Sequence, residues 1–287
     1  MDKIVMNSPI QVPELAVTTH PLVRVGVTGD RLLVVSQGGG TLLSDYSLDG
    51  GSARGIRLED PGTEIHFVQA LSEDRFLLVS AFSENQEHNA FIYDNQGHLL
   101  ASFHVGDAIE DVQAVGDRFW IGYMEEGVEG DNLLSREGVI CFNLRGKLLF
   151  SYLETAIKQG LPEVRDCYGL NALPNGETWI YYFTDHILAR VEDFRVRQFW
   201  KGGPVLSWRS PLVQAGGFAI WGRILLFGNP RRHLYRGSLN RRALERVMPV
   251  DEEGEEIRFD RWWTRDSRLF LSVGDEVYCY DMKETIY

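Results

Sequence analysis

With 287 residues, 44% of them hydrophobic and 24% charged, the chain is long enough to bury a substantial core. Its 29 Lys and Arg against 41 Asp and Glu leave a net charge of −12, which excludes a protein held to nucleic acid or to an anionic membrane by bulk charge. No stretch approaches the roughly 18–20 apolar residues of a membrane span. The first residues, MDKIVMNSPIQV, lack the apolar run of a signal peptide, and three cysteines sit at no metal-type spacing, so a cytoplasmic protein is expected.

In chain order, Lys3–Val12 has strand character, and a short phrase then recurs. It reads Asp30-Arg-Leu-Leu-Val-Val-Ser36, Asp74-Arg-Phe-Leu-Leu-Val-Ser80 and Asp117-Arg-Phe-Trp-Ile-Gly-Tyr123. Looser copies follow at Glu177–Phe183, Gly222–Gly228 and Ser267–Val273. Anchored at Asp30, Asp74, Asp117, Glu177, Arg223 and Ser267, the spacings are 44, 43, 60, 46 and 44. A period near 45 residues made of several short strands is that of a β-propeller blade, and six copies predict an all-β, six-bladed propeller of four-stranded antiparallel blades.

The apolar runs Val25–Thr28, Phe67–Leu71, Val112–Val115, Leu170–Leu173, Phe218–Trp221 and Trp262–Arg265 are the expected inner strands, and the recurring phrase is the second strand. Third strands are expected at Leu42–Leu48, Ala90–Asp94, Val139–Leu144, His186–Val191, His233–Ser238 and Glu276–Asp281. Outer strands such as Leu100–Val105 and Leu148–Leu153 follow turns at Asn95-Gln-Gly97 and Arg145-Gly146, whose residues tolerate positive φ. A single propeller domain results, with blades at about 16–58, 59–105, 106–153, 154–200, 201–250 and 251–287. The last lacks a fourth strand, and Lys3–Val12 is expected to supply it, because an unsealed ring would expose strand edges.

Loops entering the inner strands and loops joining second to third strands share one face of a propeller, the usual ligand face. Here those loops carry Glu64 and His66, then Asp107, Glu110 and Asp111, then Arg165, Asp166, Cys167 and Tyr168, with Asp185 and His186 beyond the second strand of blade 4. Residues 106–140 hold nine acids and two bases, whereas residues 221–246 hold seven arginines and one acid, so the mouth is expected to be polarised. The expected ligand-binding residues are Glu110, Asp111, Asp166, Tyr168, Asp185 and His66. Gln69, Gln113 and Asn171 recur at equivalent inner-strand positions and are expected to satisfy neighbouring backbones. Cys141 and Cys279 occupy equivalent third-strand positions and read as small core hydrophobes, while Cys167, flanked by carboxylates and without a base, does not read as a nucleophile.

Blade 4, from Leu170-Asn-Ala-Leu-Pro-Asn-Gly through Tyr182-Phe-Thr-Asp185, resembles the propellers of the NHL, YWTD and gluconolactonase type. Gly106–Gln113, Glu125–Val128 and Asp166–Asn171 resemble a group of uncharacterised bacterial six-bladed propellers. The gluconolactonase likeness implies a divalent ion, Ca²⁺ above all, held at the mouth by oxygens from several blades, with Glu110, Asp111, Asp166 and Asn171 as its ligand set. Two functions are therefore carried forward. The first is a non-catalytic propeller, expected to be monomeric, that binds a small polar ligand, a peptide or a protein partner at an acidic channel mouth. The second is a metal-dependent hydrolase or lactonase.

Overall fold

The structure, a computed structural model, describes residues 1–16, 23–48 and 53–285. Six sheets stand in a ring, each a meander running outward from an inner strand. The inner strands are Val23–Thr28, Phe67–Ser72, Ile109–Val115, Asp166–Ala172, Ala219–Trp221 and Arg261–Arg265 for blades 1 to 6. The recurring phrase forms the second strand throughout, from Arg31–Gln37 in blade 1 to Arg268–Val273 in blade 6. The fold is the six-bladed propeller that the repeat predicts.

What holds the ring is the side-chain alternation of the strands, which buries both faces of every blade. Six apolar clusters result, one at each junction between neighbouring blades. Leu33 and Val35 of blade 1 meet Phe76 and Leu78 of blade 2. Across the closure, Phe270 and Val277 of blade 6 meet Val27, Leu32 and Val34 of blade 1. Cys141 is fully buried between blades 3 and 4, in the role expected of it.

The N-terminal segment does close the ring, but as two strands. Ile10–Gln11 pairs antiparallel with Val277 and Glu276 and becomes the fourth strand of blade 6. Asp2–Val5 instead pairs in parallel with Val247–Val250, as a fifth strand outside blade 5. The chain crosses between the two blades at residues 6–9, where Met6 N–H still donates to Val250 O and Asn7 N–H already donates to Cys279 O, 2.8 Å each. Arg236 fixes the outer addition, donating to Asp2 at 2.6 Å and Glu245 at 2.9 Å. Ile4 and Met6 fill the junction between blades 5 and 6, and Val12 that between blades 6 and 1.

Blade 3 is longer than the rest because of two insertions. Residues 124–138 carry a short helix, Glu125–Glu129, and a second helix, Tyr152–Gln159, follows the outer strand and is ended by Gly160 in the left-handed region at φ 64°.

The split N-terminus gives a direct test. Deleting residues 1–12 removes strands from two blades and three buried side chains, and should lower Tm by roughly 10 °C or more, since each buried apolar side chain is worth about 2–4 kcal/mol. Unchanged thermal unfolding of the truncated chain would contradict this closure.

Candidate functional site

The inner strands of blades 3 and 4 begin several residues before the apolar runs that mark them in the sequence. Ile109–Val115 starts three residues before Val112, and Asp166–Ala172 starts four before Leu170. Glu110, Asp111, Asp166 and Tyr168 thus lie on strands, not in the loops where they were expected. Each strand reaches that far by a bulge. The pairing with the second strand slips between Ile109 and Asp111 in blade 3 and between Cys167 and Gly169 in blade 4, leaving Glu110 and Tyr168 as the extra residues. A bulge re-aims a side chain that strict alternation would send into the junction between blades. The space beside the bulges is filled at Gly122, where a β-carbon would come within 2.3 Å of Cys167 Sγ. Cys167 is accordingly fully buried, and burial with Asp111, Glu110 and Asp166 nearby pushes its thiol far above the usual range, so it remains protonated.

The mouth opens into a cavity of about 730 Å³ between the inner strands. Its wall includes Arg24, His66, Glu110, Gln113, Arg261 and Trp262, so of the expected residues it takes His66, Glu110 and Asp111 directly. Asp166 stands beside them and raises the pKa of Glu110. Tyr168 stacks on His186 at 6.0 Å between ring centres and 17° between planes. Asp185 does not join the wall. It occupies the tight turn between the second and third strands of blade 4, at φ 62°, and faces Lys201 at 3.9 Å.

The far end of the cavity is closed by side chains that cross between blades. Asn171, 1% exposed, donates to the carbonyls of Phe218 and Asp266 at 2.9 and 2.8 Å and accepts the N–H of Asp266 at 3.0 Å, tying blade 4 to blades 5 and 6. Gln69 Oε1 accepts the N–H of Ala114 in blade 3 at 3.1 Å. Arg265, 5% exposed, reaches across from blade 6 to the Ala114 carbonyl in blade 3, the blade opposite. Gln69 and Asn171 therefore do what was expected of the recurring amides. Gln113 does so only in part: it donates to Asp111 at 3.5 Å, while its buried Oε1 has no partner among the described residues.

The carboxyls are held in different ways. Asp111 is partly buried, accepts the N–H of Leu170 in the next blade at 2.8 Å, and is raised to about 6 because desolvation outweighs that bond and the Arg265 charge. Glu110 is raised to about 7 by burial, then by Asp111, Asp166 and Glu126, and no cation pairs with it among the described residues. In the neighbouring blade 2, His66 Nδ1 accepts the Ala81 N–H at 3.1 Å, and burial lowers its pKa, so it is a neutral ring with its proton on Nε2. Arg24 donates to Glu64 at 2.7 Å. Trp262 lies over Gly228, where a β-carbon would approach the indole to 2.6 Å, so the glycine lets the ring lie flat against blade 5.

The ligand set implied by the gluconolactonase likeness does not fit. Both oxygen and nitrogen of the Asn171 amide are spent on backbone groups. Asp111 already holds Leu170, and among the described residues no three His, Cys, Asp or Glu side chains gather as they would around a metal ion. Arg24, Arg265 and the free oxygen of Gln113 were missed in the sequence. An arginine ending an inner strand, where blades 1 and 3 have Thr28 and Val115, was the available signal for Arg265.

Residues 139–280, just under half of the chain, match the model of the YxzG family, whose description names no activity. No curated protein matches the sequence. Similar solved structures include PorZ, a surface component of the type-IX secretion system of Porphyromonas gingivalis, at 12% identity and TM-score 0.50 over 97% of this chain and 34% of that one. The AfRom2 CNH domain matches at 12% identity and TM-score 0.50, over 91% of this chain and 80% of that one. Virginiamycin B lyase from Staphylococcus aureus matches at 10% identity and TM-score 0.50, over 96% and 98%. The chain spans about a third of the PorZ chain. At these identities the likeness is one of fold.

Two predictions follow from the geometry. Glu110 and Asp111 bind protons more tightly folded than unfolded, where they titrate near 4.5 and 3.8, so their contribution falls as pH rises from about 4 to about 7 and then levels off. Glu110→Gln should be more stable than the wild type by roughly 2 kcal/mol at pH 8, solvent at the mouth reducing the full value, and by almost nothing at pH 4.5. Urea unfolding at the two pH values reads the difference. Asn171→Ala strips three buried hydrogen bonds and should cost about 2–4 kcal/mol in the same assay at either pH.

Proposed function

We propose that this protein is a non-catalytic binding propeller whose channel cavity recognises a small polar ligand bearing a cationic group. The observation that carries the reading is Glu110, a carboxyl aimed into the cavity by a bulge and left without a cationic partner among the described residues. Burying a carboxylate without compensation costs folding free energy, and a ligand cation would relieve that cost on binding. The cavity volume, about 730 Å³, suits a small molecule, and its lining is more polar than apolar, which favours a polar ligand, with Val25, Phe67 and Trp263 adding apolar surface. A carboxyl near 7 is also what a general base requires, but no activated nucleophile accompanies it: the Cys167 thiol is buried and protonated, and His66 is committed to Ala81. The hydrolase or lactonase alternative would need the oxygens that Asn171 and Asp111 spend elsewhere.

Thermal shift measurements test this. A panel of diamines, amino alcohols, amino acids and short peptides at about 10 mM, beside neutral sugars and 1 mM Ca²⁺, Mg²⁺ and Mn²⁺, should contain at least one amine that raises Tm. A ligand at a hundredfold excess over its Kd stabilises by about 2.7 kcal/mol, a shift of roughly 5 °C. The shift should vanish in Glu110→Gln. Stabilisation by divalent ions alone, lost in Asp111→Asn and Asp166→Asn, would replace this reading with the metal-dependent one.

A further inference from the structure

The binding reading can be taken one step further, to the class of ligand, because the two walls of the cavity carry opposite charge at the same depth. Arg265 of blade 6 reaches the Ala114 carbonyl of blade 3, so near the floor these two inner strands stand within one arginine side chain of each other. Both strands run from mouth to floor. Four residues nearer the mouth, blade 3 presents Glu110 and blade 6 presents Arg261, and both line the cavity. Arg261 is exposed, and among the described residues no acid pairs with it. Two other cations near the mouth differ: Arg24 is held by Glu64, and Arg232 faces Asp260 at 3.4 Å.

An observation independent of charge points to what lies between them. Gln113 lines the cavity three residues below Glu110, is 8% exposed, and its Oε1 has no hydrogen-bond partner among the described residues. A buried acceptor without a donor is destabilising, and the ligand group that satisfies it is an N–H or O–H. Trp262 and Trp263, adjoining Arg261 on the blade 6 wall, add flat apolar surface.

We infer that the cavity takes a short peptide with free ends, its ammonium at Glu110, a peptide N–H at Gln113 Oε1, and its carboxylate at Arg261. This inference rests on the binding reading above. An extended tripeptide spans at most about 10 Å. A planar guanidinium binds a carboxylate through two parallel hydrogen bonds, so the carboxyl end is recognised in orientation as well as charge. Neutralising either terminus would leave one wall's charge uncompensated.

Equilibrium dialysis with mass-spectrometric readout tests the inference, using three tripeptide pools of the same sequences: free-ended, N-acetylated and C-amidated. The wild type should retain members of the free-ended pool, and each blocking group should lower retention about tenfold or more. Glu110→Gln should hold free and acetylated peptides equally, and Arg261→Leu should hold free and amidated peptides equally, with circular dichroism confirming that both variants fold. Gln113→Leu should weaken retention of all free-ended peptides. Equal retention of free and blocked pools by the wild type overturns the inference. If no tripeptide is retained while another amine stabilises the protein through Glu110, the inference falls and the binding reading stands. If no amine binds by either assay, both fall.

Discussion

Every inner strand of a propeller has one edge bonded to its blade and one edge facing the channel, where no further strand satisfies its backbone. The rest of this structure depends on how that edge is satisfied. Side chains cross between blades to do it: Thr28 takes the Ala70 N–H, Gln69 the Ala114 N–H, Asp111 the Leu170 N–H, Asn171 both polar groups of Asp266 and the Phe218 carbonyl, and Arg265 the Ala114 carbonyl. A bare channel would run through the ring. Here the crossings close it at one end, and what remains is a cavity open at the mouth.

The same crossings account for the electrostatics. Burial lowers Arg265 to about 10 and raises the partly buried Asp111 to about 6, and each charge opposes the other's shift. Buried charges of this kind stabilise little, but removing one partner strands the other, so they fix geometry more than they add free energy. Glu110 differs from Asp111 by one residue and by everything that matters for binding. The bulge turns it toward the cavity, where no backbone group or cation claims it. Asp111 serves the scaffold and Glu110 is left for a ligand.

The fold was legible in the sequence because blade structure is repetitive and local: Asp30, Asp74 and Asp117 open copies of one phrase, and each copy became a second strand. Ring closure was legible as a shortage of strands in blade 6, but its form was not. Asp2–Val5 found the long outer strand Ala243–Val250 of blade 5, and nothing in a strand's own sequence names its neighbour. The site was half legible. The acidic residues of blades 3 and 4 stood out by density, yet their polarity disguised them as loop, since apolar alternation fails at a wet channel edge and a bulge breaks its period. Asp185 shared their charge but lay in a hairpin turn beside Lys201. Arg265 was obscure for a different reason: its meaning comes from blade 3, about 150 positions away in sequence, and only the ring brings the two walls together.

Native-state hydrogen exchange tests most directly whether side chains seal the channel edge. The amides of Ala114 and Leu170 on inner strands, and of Asp266 in the turn after the inner strand of blade 6, are each bonded by a side chain from another blade. They should exchange only by global unfolding, as slowly as amides in the second strands, with free energies equal to that measured by urea unfolding. Exchange of these three at the rate of exposed loop amides would mean that the crossings do not persist in solution, and that the cavity and the roles drawn from it are not those of the native protein.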